Sequence, residues 1–236
     1  MSGLVEAIGF LTPLGGARPP TERAQRWFPV VGAMLGAALG GVWWGAGRLW
    51  PAVIAALIVV VADAALTGML HLDGIIDCAD GLIPHLTRAR RLEVMAQPDV
   101  GAFGAVVGGL VLLARVLALA VLAPNVWLLV ALWTASRSAM VVVMTRVRRS
   151  RPGGLSQAFA GGIGSVETVV GVIGSVAIAV AWRAVGGPVA VVAGLAAGAL
   201  LVAVAVNRLG GFTGDVLGAT GVLIETVGLV VAAAKW

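Results

Sequence analysis

The chain has 236 residues, of which 60% are hydrophobic and 11% charged, and its formal net charge is +5. Soluble domains carry about 25% charged residues, so the composition excludes the ordinary soluble classes. The positive charge is scattered over separate loops, which argues against a nucleic-acid partner, and the single cysteine, Cys78, leaves no intrachain disulfide to form.

Taken in chain order, residues 3–14 are apolar but too short to span a bilayer, and are expected to lie along the interface or re-enter it. They do not read as a cleavable leader. Glu6 comes early, no basic run precedes it, and Thr12-Pro13-Leu14-Gly15-Gly16 breaks the stretch. Seven spans follow, near 29–47, 51–70, 101–122, 125–145, 163–183, 187–206 and 216–234. Each is long enough for a hydrocarbon core of about 30 Å. Arg48 to Pro51, Pro124-Asn125 and Gly186-Gly187-Pro188 mark breaks between them. The predicted fold is an all-α polytopic bundle forming one domain over 1–236.

Positive residues fix the expected orientation. One set of loops holds Arg18, Arg23, Arg26, Arg88, Arg90, Arg91, Arg146, Arg148, Arg149, Arg151 and Arg208. The other holds Arg48, Arg183 and Lys235. The N-terminus is therefore expected in the cytoplasm and the C-terminus outside. Asp63, Arg115 and Arg137 fall inside spans, where ionisable groups need partners or a wet cavity. Two readings stand: a structural ion pair of Asp63 with an arginine, or a polar cavity receiving an anionic substrate. Arg137, between Ser136 and Ser138, leans to the second.

Where the second span meets the cytoplasm the sequence reads His71-Leu72-Asp73-Gly74-Ile75-Ile76-Asp77-Cys78-Ala79-Asp80-Gly81. Asp73, Asp77 and Asp80 share one helical face at i, i+4 and i+7. Three carboxylates on one face repel unless a cation or proton intervenes, and hard oxygen donors favour magnesium, manganese or calcium. Gly74 leaves room beside them. The competing reading is a solvated acidic helix end, but only 11 acidic residues exist in the chain and three stand here. Cys78 suits packing. His71 suits either packing or ligand contact.

A second polar island on the same face is Arg208-Leu209-Gly210-Gly211-Phe212-Thr213-Gly214-Asp215. Its glycines, Thr213 and Asp215 suit phosphate and cation contact. A third, Arg146 to Phe159, brings four arginines and then Gly153-Gly154-Leu155-Ser156-Gln157, read either as a topogenic loop or as a phosphate clamp.

These residues carry a resemblance to the cobalamin synthase family, the adenosylcobinamide-GDP ribazoletransferases. His71 to Gly81 resembles its HLDG-xx-D-xx-DG signature, and Gly210 to Ala219 resembles its GG-x-TGD-x-LGA signature. Phe10-Leu11-Thr12-Pro13-Leu14, Phe28 to Gly32, Gly101 with Gly104, Ser136-Arg137 and Gly154-Leu155 follow the same order. The chain departs where the family has Met-Arg-Asp: Met95 precedes Ala96 and Gln97, with Asp99 two positions on. It also has Val222 where an acid is usual, and Glu225 at the next acidic place.

The resemblance implies a magnesium-dependent phosphotransferase of the prokaryotic inner membrane. It would join adenosylcobinamide-GDP to α-ribazole or its 5′-phosphate, with GMP leaving and the ribazole 5′-oxygen attacking. It implies Asp73, Asp77 and Asp80 as metal and catalytic groups, with Asp215 as a candidate base. His71, Gly74, Gly104, Arg137, Gln157, Arg208, Thr213 and Gly214 would contact substrate. Glycine-rich helix faces in contact with lipid are compatible with a homodimer. Two other readings remain: a CDP-alcohol phosphotransferase, although Asp77 stands where that motif has Ala-Arg, and a transporter lined by Asp63, Arg115 and Arg137.

Overall fold

The computed structural model describes residues 3–15, 21–150 and 165–235, and among them it is built from helices, with no strand beyond one isolated bridge between Arg149 and Phe212. Two short helices, α1 (Gly3–Leu11) and α2 (Glu22–Gln25), precede α3 (Phe28–Leu49). After α4 (Ala52–Leu66), α5 (Leu70–Leu82) and α6 (Arg88–Val94) come α7 (Ala102–Val121) and α8 (Val126–Arg146). The chain ends with α9 (Ser165–Trp182), α10 (Gly186–Leu209) and α11 (Gly214–Ala232). By length and composition α3, α7, α8, α10 and α11 are long and apolar enough to cross a membrane. This is a multi-pass membrane protein.

Helix α8 is the hub. It packs on α3, α9, α10 and α11, and its side chains are buried almost end to end. The α3–α8 contact is close because Gly36 faces the backbone of Leu129; a Cβ there would lie 2.5 Å from its carbonyl oxygen. Small residues at such crossings let two membrane helices maximise dispersion contact, which replaces the missing hydrophobic drive in lipid. The outer helices show the reverse pattern. Val53, Leu57 and Val61 on α4, and Val106, Leu110, Leu113, Leu117 and Val121 on α7, are exposed. Exposed apolar stripes of this length match a hydrocarbon solvent rather than water.

The second predicted span, 51–70, corresponds to a bent pair of helices, α4 and α5. Helix α4 stops at Leu66 after 15 residues, about 22 Å at 1.5 Å per residue, short of a bilayer core. Thr67 turns its hydroxyl back onto the Asp63 carbonyl at 2.8 Å. Gly68 and Met69 then take left-handed conformations, φ 58° and 59°. Such a residue cannot propagate a right-handed helix, and for Met69 it costs about 1–2 kcal/mol. The chain turns through 91° into α5. Helix α5 thus leaves the direction of α4 and runs across the bundle end, from the first turn of α11 to the first turn of α7.

Candidate functional site

Helix α5 carries the acidic motif, and its partner across the contact is the Thr-Gly-Asp turn that opens α11. Thr213 caps α11, its hydroxyl oxygen accepting from the Val216 N–H at 3.3 Å. The same hydroxyl donates to Asp215 Oδ2 at 3.2 Å, which fixes that carboxylate's rotamer. Gly74 sits directly on this turn: a Cβ there would lie 2.7 Å from the Asp215 carbonyl oxygen. The two motifs are therefore interlocked, the glycine of one letting the acid of the other approach. Asp73 is exposed, while Asp77 and Asp215 are half-buried. Burial first, and then the charges of Asp73, Asp215 and Asp80, push the Asp77 carboxyl up to about 7. One cluster holds all four acids, with more negative charge than it can keep ionised.

Asp80 has a further task. Its Oδ2 accepts from the Gly101 N–H and its Oδ1 from the Gly104 N–H, both at 2.8 Å. It closes the N-terminus of α7 from a neighbouring helix, where a negative charge also meets the positive end of the helix dipole. A Cβ at Gly104 would lie 2.3 Å from Asp80 Oδ2, so that contact requires glycine. Gly104, expected at the substrate, is occupied with Asp80. Cys78 is buried and its thiol is pushed well up by that burial, as a packing group would be.

The arginines beside the motif hold carbonyl ends. Arg91 donates to the carbonyls of Gly81 and Leu82 at 2.7 and 2.9 Å, and Arg208 also donates to Leu82. Arg88 donates to Leu209 at 2.7 Å and to Ser150 at 3.2 Å. The backbone of 148–150 pairs with Phe212, through Phe212 N–H to Arg148 O and Ser150 N–H to Phe212 O. This brings Arg148 and Arg149 next to the Thr-Gly-Asp turn. Gln157, Gly154-Leu155 and Arg151 lie outside the described residues.

Below α5, inside the bundle, the spans' charges form a closed network. Arg115 reaches Asp63 Oδ2 and Glu225 Oε2, each at 2.6 Å, and donates to Thr226 at 2.8 Å. Arg137 reaches Glu225 Oε1 at 2.6 Å, and Trp133 donates to Asp63 at 3.1 Å. Two arginines balance two acids. The ion-pair reading of Asp63 is realised, and Arg137 belongs to the same network, 1% exposed. Sequence reasoning missed Glu225 as its centre. Charge counting could have found it, because two arginines at membrane depth call for two acids, and Glu225, like Asp63, lies inside an apolar helix beyond its first turn. His71 is buried between the two polar regions. It lines both a cavity of ≈ 20 Å³ over the network and a larger one of ≈ 130 Å³ beside Asp73 and Asp215.

Among the described residues no three acidic, histidine or cysteine side chains converge into a ready-made metal cage. Magnesium does not need one. It takes one or two carboxylates and completes its shell with water and substrate phosphate. Asp73 and Asp77 would supply such a partial donor set, and a bound cation would offset the neighbouring charges that, after burial, lift the Asp77 carboxyl. Asp80, with both oxygens already accepting, fits a metal shell less well than the three-carboxylate cage anticipated.

The chain was compared with known proteins. The family model described as cobalamin-5-phosphate synthase matches residues 3–233. An adenosylcobinamide-GDP ribazoletransferase of a Roseiflexus species is 34% identical over 232 residues, 95% of this chain and 86% of that protein. Relatives of the same name from Bradyrhizobium diazoefficiens and Citrobacter koseri are 35% and 37% identical. The first alignment covers 97% of this chain and 92% of the relative, the second 86% and 84%. No solved structure matches.

Proposed function

The chain belongs to the cobalamin-5-phosphate synthase family, and from that premise we propose that it is an adenosylcobinamide-GDP ribazoletransferase acting at the junction of α5 and α11. The observation that carries the placement is the interlock of Gly74 with the Asp215 turn, which gathers acids from two distant motifs on one face. In the reaction a ribazole oxygen attacks the phosphorus attached to cobinamide, the bond to the GMP oxygen breaks, and GMP leaves. The family's 5-phosphate description supports a different nucleophile from the 5′-oxygen expected from the sequence. An acceptor whose 5′-oxygen already carries a phosphate cannot attack through it, so another ribose hydroxyl does.

Asp73 and Asp77 would hold Mg²⁺, which would neutralise the diphosphate and the departing GMP. Asp215, oriented by Thr213, accepts the hydroxyl proton and returns it to solvent. Arg148 and Arg149, beside the same turn, favour the anionic groups of both substrates. The arginine-bearing ends gather around this face, whereas Arg48 and Arg183 lie at the opposite ends of α3 and α9. That asymmetry supports a site facing the cytoplasm, at the inner membrane.

The test uses the detergent-purified protein with adenosylcobinamide-GDP, α-ribazole 5′-phosphate and Mg²⁺, reading GMP release. Turnover that stops in chelator and falls about 10²-fold or more in Asp73→Asn is the expected result. A folded wild-type protein that releases no GMP with either ribazole form would overturn the reading.

A further inference from the structure

The cavity beside Asp73 and Asp215 has a chemical character that the phosphotransfer alone does not explain. It measures ≈ 130 Å³, and its walls are the side chains of Phe10, Phe28, Leu70, Met140 and Leu217. Phe10 and Phe28 stack there at 5.7 Å with an interplanar angle of 20°. Helix α1, too short to span, supplies Phe10 and so has a place in the site. Among the described residues the acidic side chains in the wall are Asp73 and Asp215, and the other polar side chain is His71.

Resting on the transferase reading above, we propose that this cavity is the subsite for the aromatic base of the acceptor, the benzimidazole ring of α-ribazole. The substrates offer three bulky parts. A corrin ring is far larger than the cavity. Guanine presents an edge of donors and acceptors that needs matching polar groups, and the described wall offers mainly apolar side chains. The dimethylated benzimidazole is a bicyclic apolar plate with a single free ring nitrogen. It fits apolar and aromatic walls with the His71 ring as a polar contact, the usual make-up of a small-molecule pocket. Seated there, the base directs its ribose towards Asp73 and Asp215 at the same cavity wall. The acceptor hydroxyl is thereby delivered to the acids, and the donor diphosphate is left to the metal and the arginines.

The test is steady-state kinetics of the Mg²⁺-loaded protein in detergent, with each substrate varied in turn. Leu70→Trp narrows the cavity from an exposed wall position, and Phe10→Ala removes one ring of the α1–α3 aromatic stack. Each should raise the KM for α-ribazole 5′-phosphate about tenfold and leave the KM for adenosylcobinamide-GDP unchanged. Free 5,6-dimethylbenzimidazole should inhibit competitively against ribazole only, and more weakly in Phe10→Ala. If wild type turns over but neither variant shifts the acceptor KM, or both substrates' KM values move together, the subsite is wrong while the transferase reading stands. A wild-type protein without GMP release overturns both.

Discussion

Two polar regions lie one above the other in this bundle, and they are built on opposite principles. The network of Asp63, Arg115, Arg137 and Glu225 is sealed inside the spans, with charges equal in number and paired at 2.6 Å. The face formed by α5 and the start of α11 has four acids, no basic side chain paired to Asp73 or Asp77 among the described residues, and access to solvent. Balanced charge at membrane depth lowers the cost of its own burial and holds helices in register. Unbalanced charge at the membrane boundary is a standing demand for a cation and for a substrate that brings one. The proposed site is therefore the region that is electrostatically incomplete.

Substitutions can break this contrast. The largest effect is expected at Glu225, which joins both arginines. Glu225→Ala should lower stability by about 3–5 kcal/mol, because Arg137 loses its acidic partner inside the bundle and Arg115 keeps only Asp63. Thermal unfolding in detergent reads it, and an unchanged Tm would mean the network is not closed as described. Asp73→Asn should do the reverse, losing about 10²–10³-fold in kcat with no fall in Tm.

Asp80→Ala sharpens the boundary between the two behaviours. It strands the N–H groups of Gly101 and Gly104 and should cost about 1–3 kcal/mol, with activity falling in step as α7 loosens. Its measurement is Tm and kcat on the same preparation; loss of kcat at constant Tm would make Asp80 a catalytic group. The smallest effect is expected from Asp77→Asn. Removing a charge that its neighbours already resist should raise the Tm in chelator, and shrink the further rise that Mg²⁺ gives the wild type through preferential binding to the folded state. A lowered Tm in chelator would show that Asp77 is paired rather than repelled.

Much of this was legible in the sequence. Composition and apolar runs located α3, α7, α8, α10 and α11, because in lipid a helix must satisfy its own backbone and needs only length and hydrophobicity. The Asp73 and Asp215 motifs were visible as islands of charge in an apolar chain. The break at residues 67–69 was not. Apolar residues continue on both sides of it, and Met69 carries no sign of its left-handed conformation. The role of Asp80 was hidden for a different reason: its partners are backbone N–H groups more than 20 positions away, which no residue type announces. Glu225 was noticed only as a departure from a pattern, although its charge placed it with the arginines.

The most direct test of the central claim is a double-mutant cycle on GMP release between Asp73 and Asp215, which lie on different helices and line one cavity. If one site uses both acids, Asp73→Asn and Asp215→Asn will each lower kcat/KM, and the double variant will be about as slow as the worse single one, as for groups that act as a unit. Losses that simply multiply, or full activity in Asp215→Asn, would contradict a shared site where α5 crosses α11.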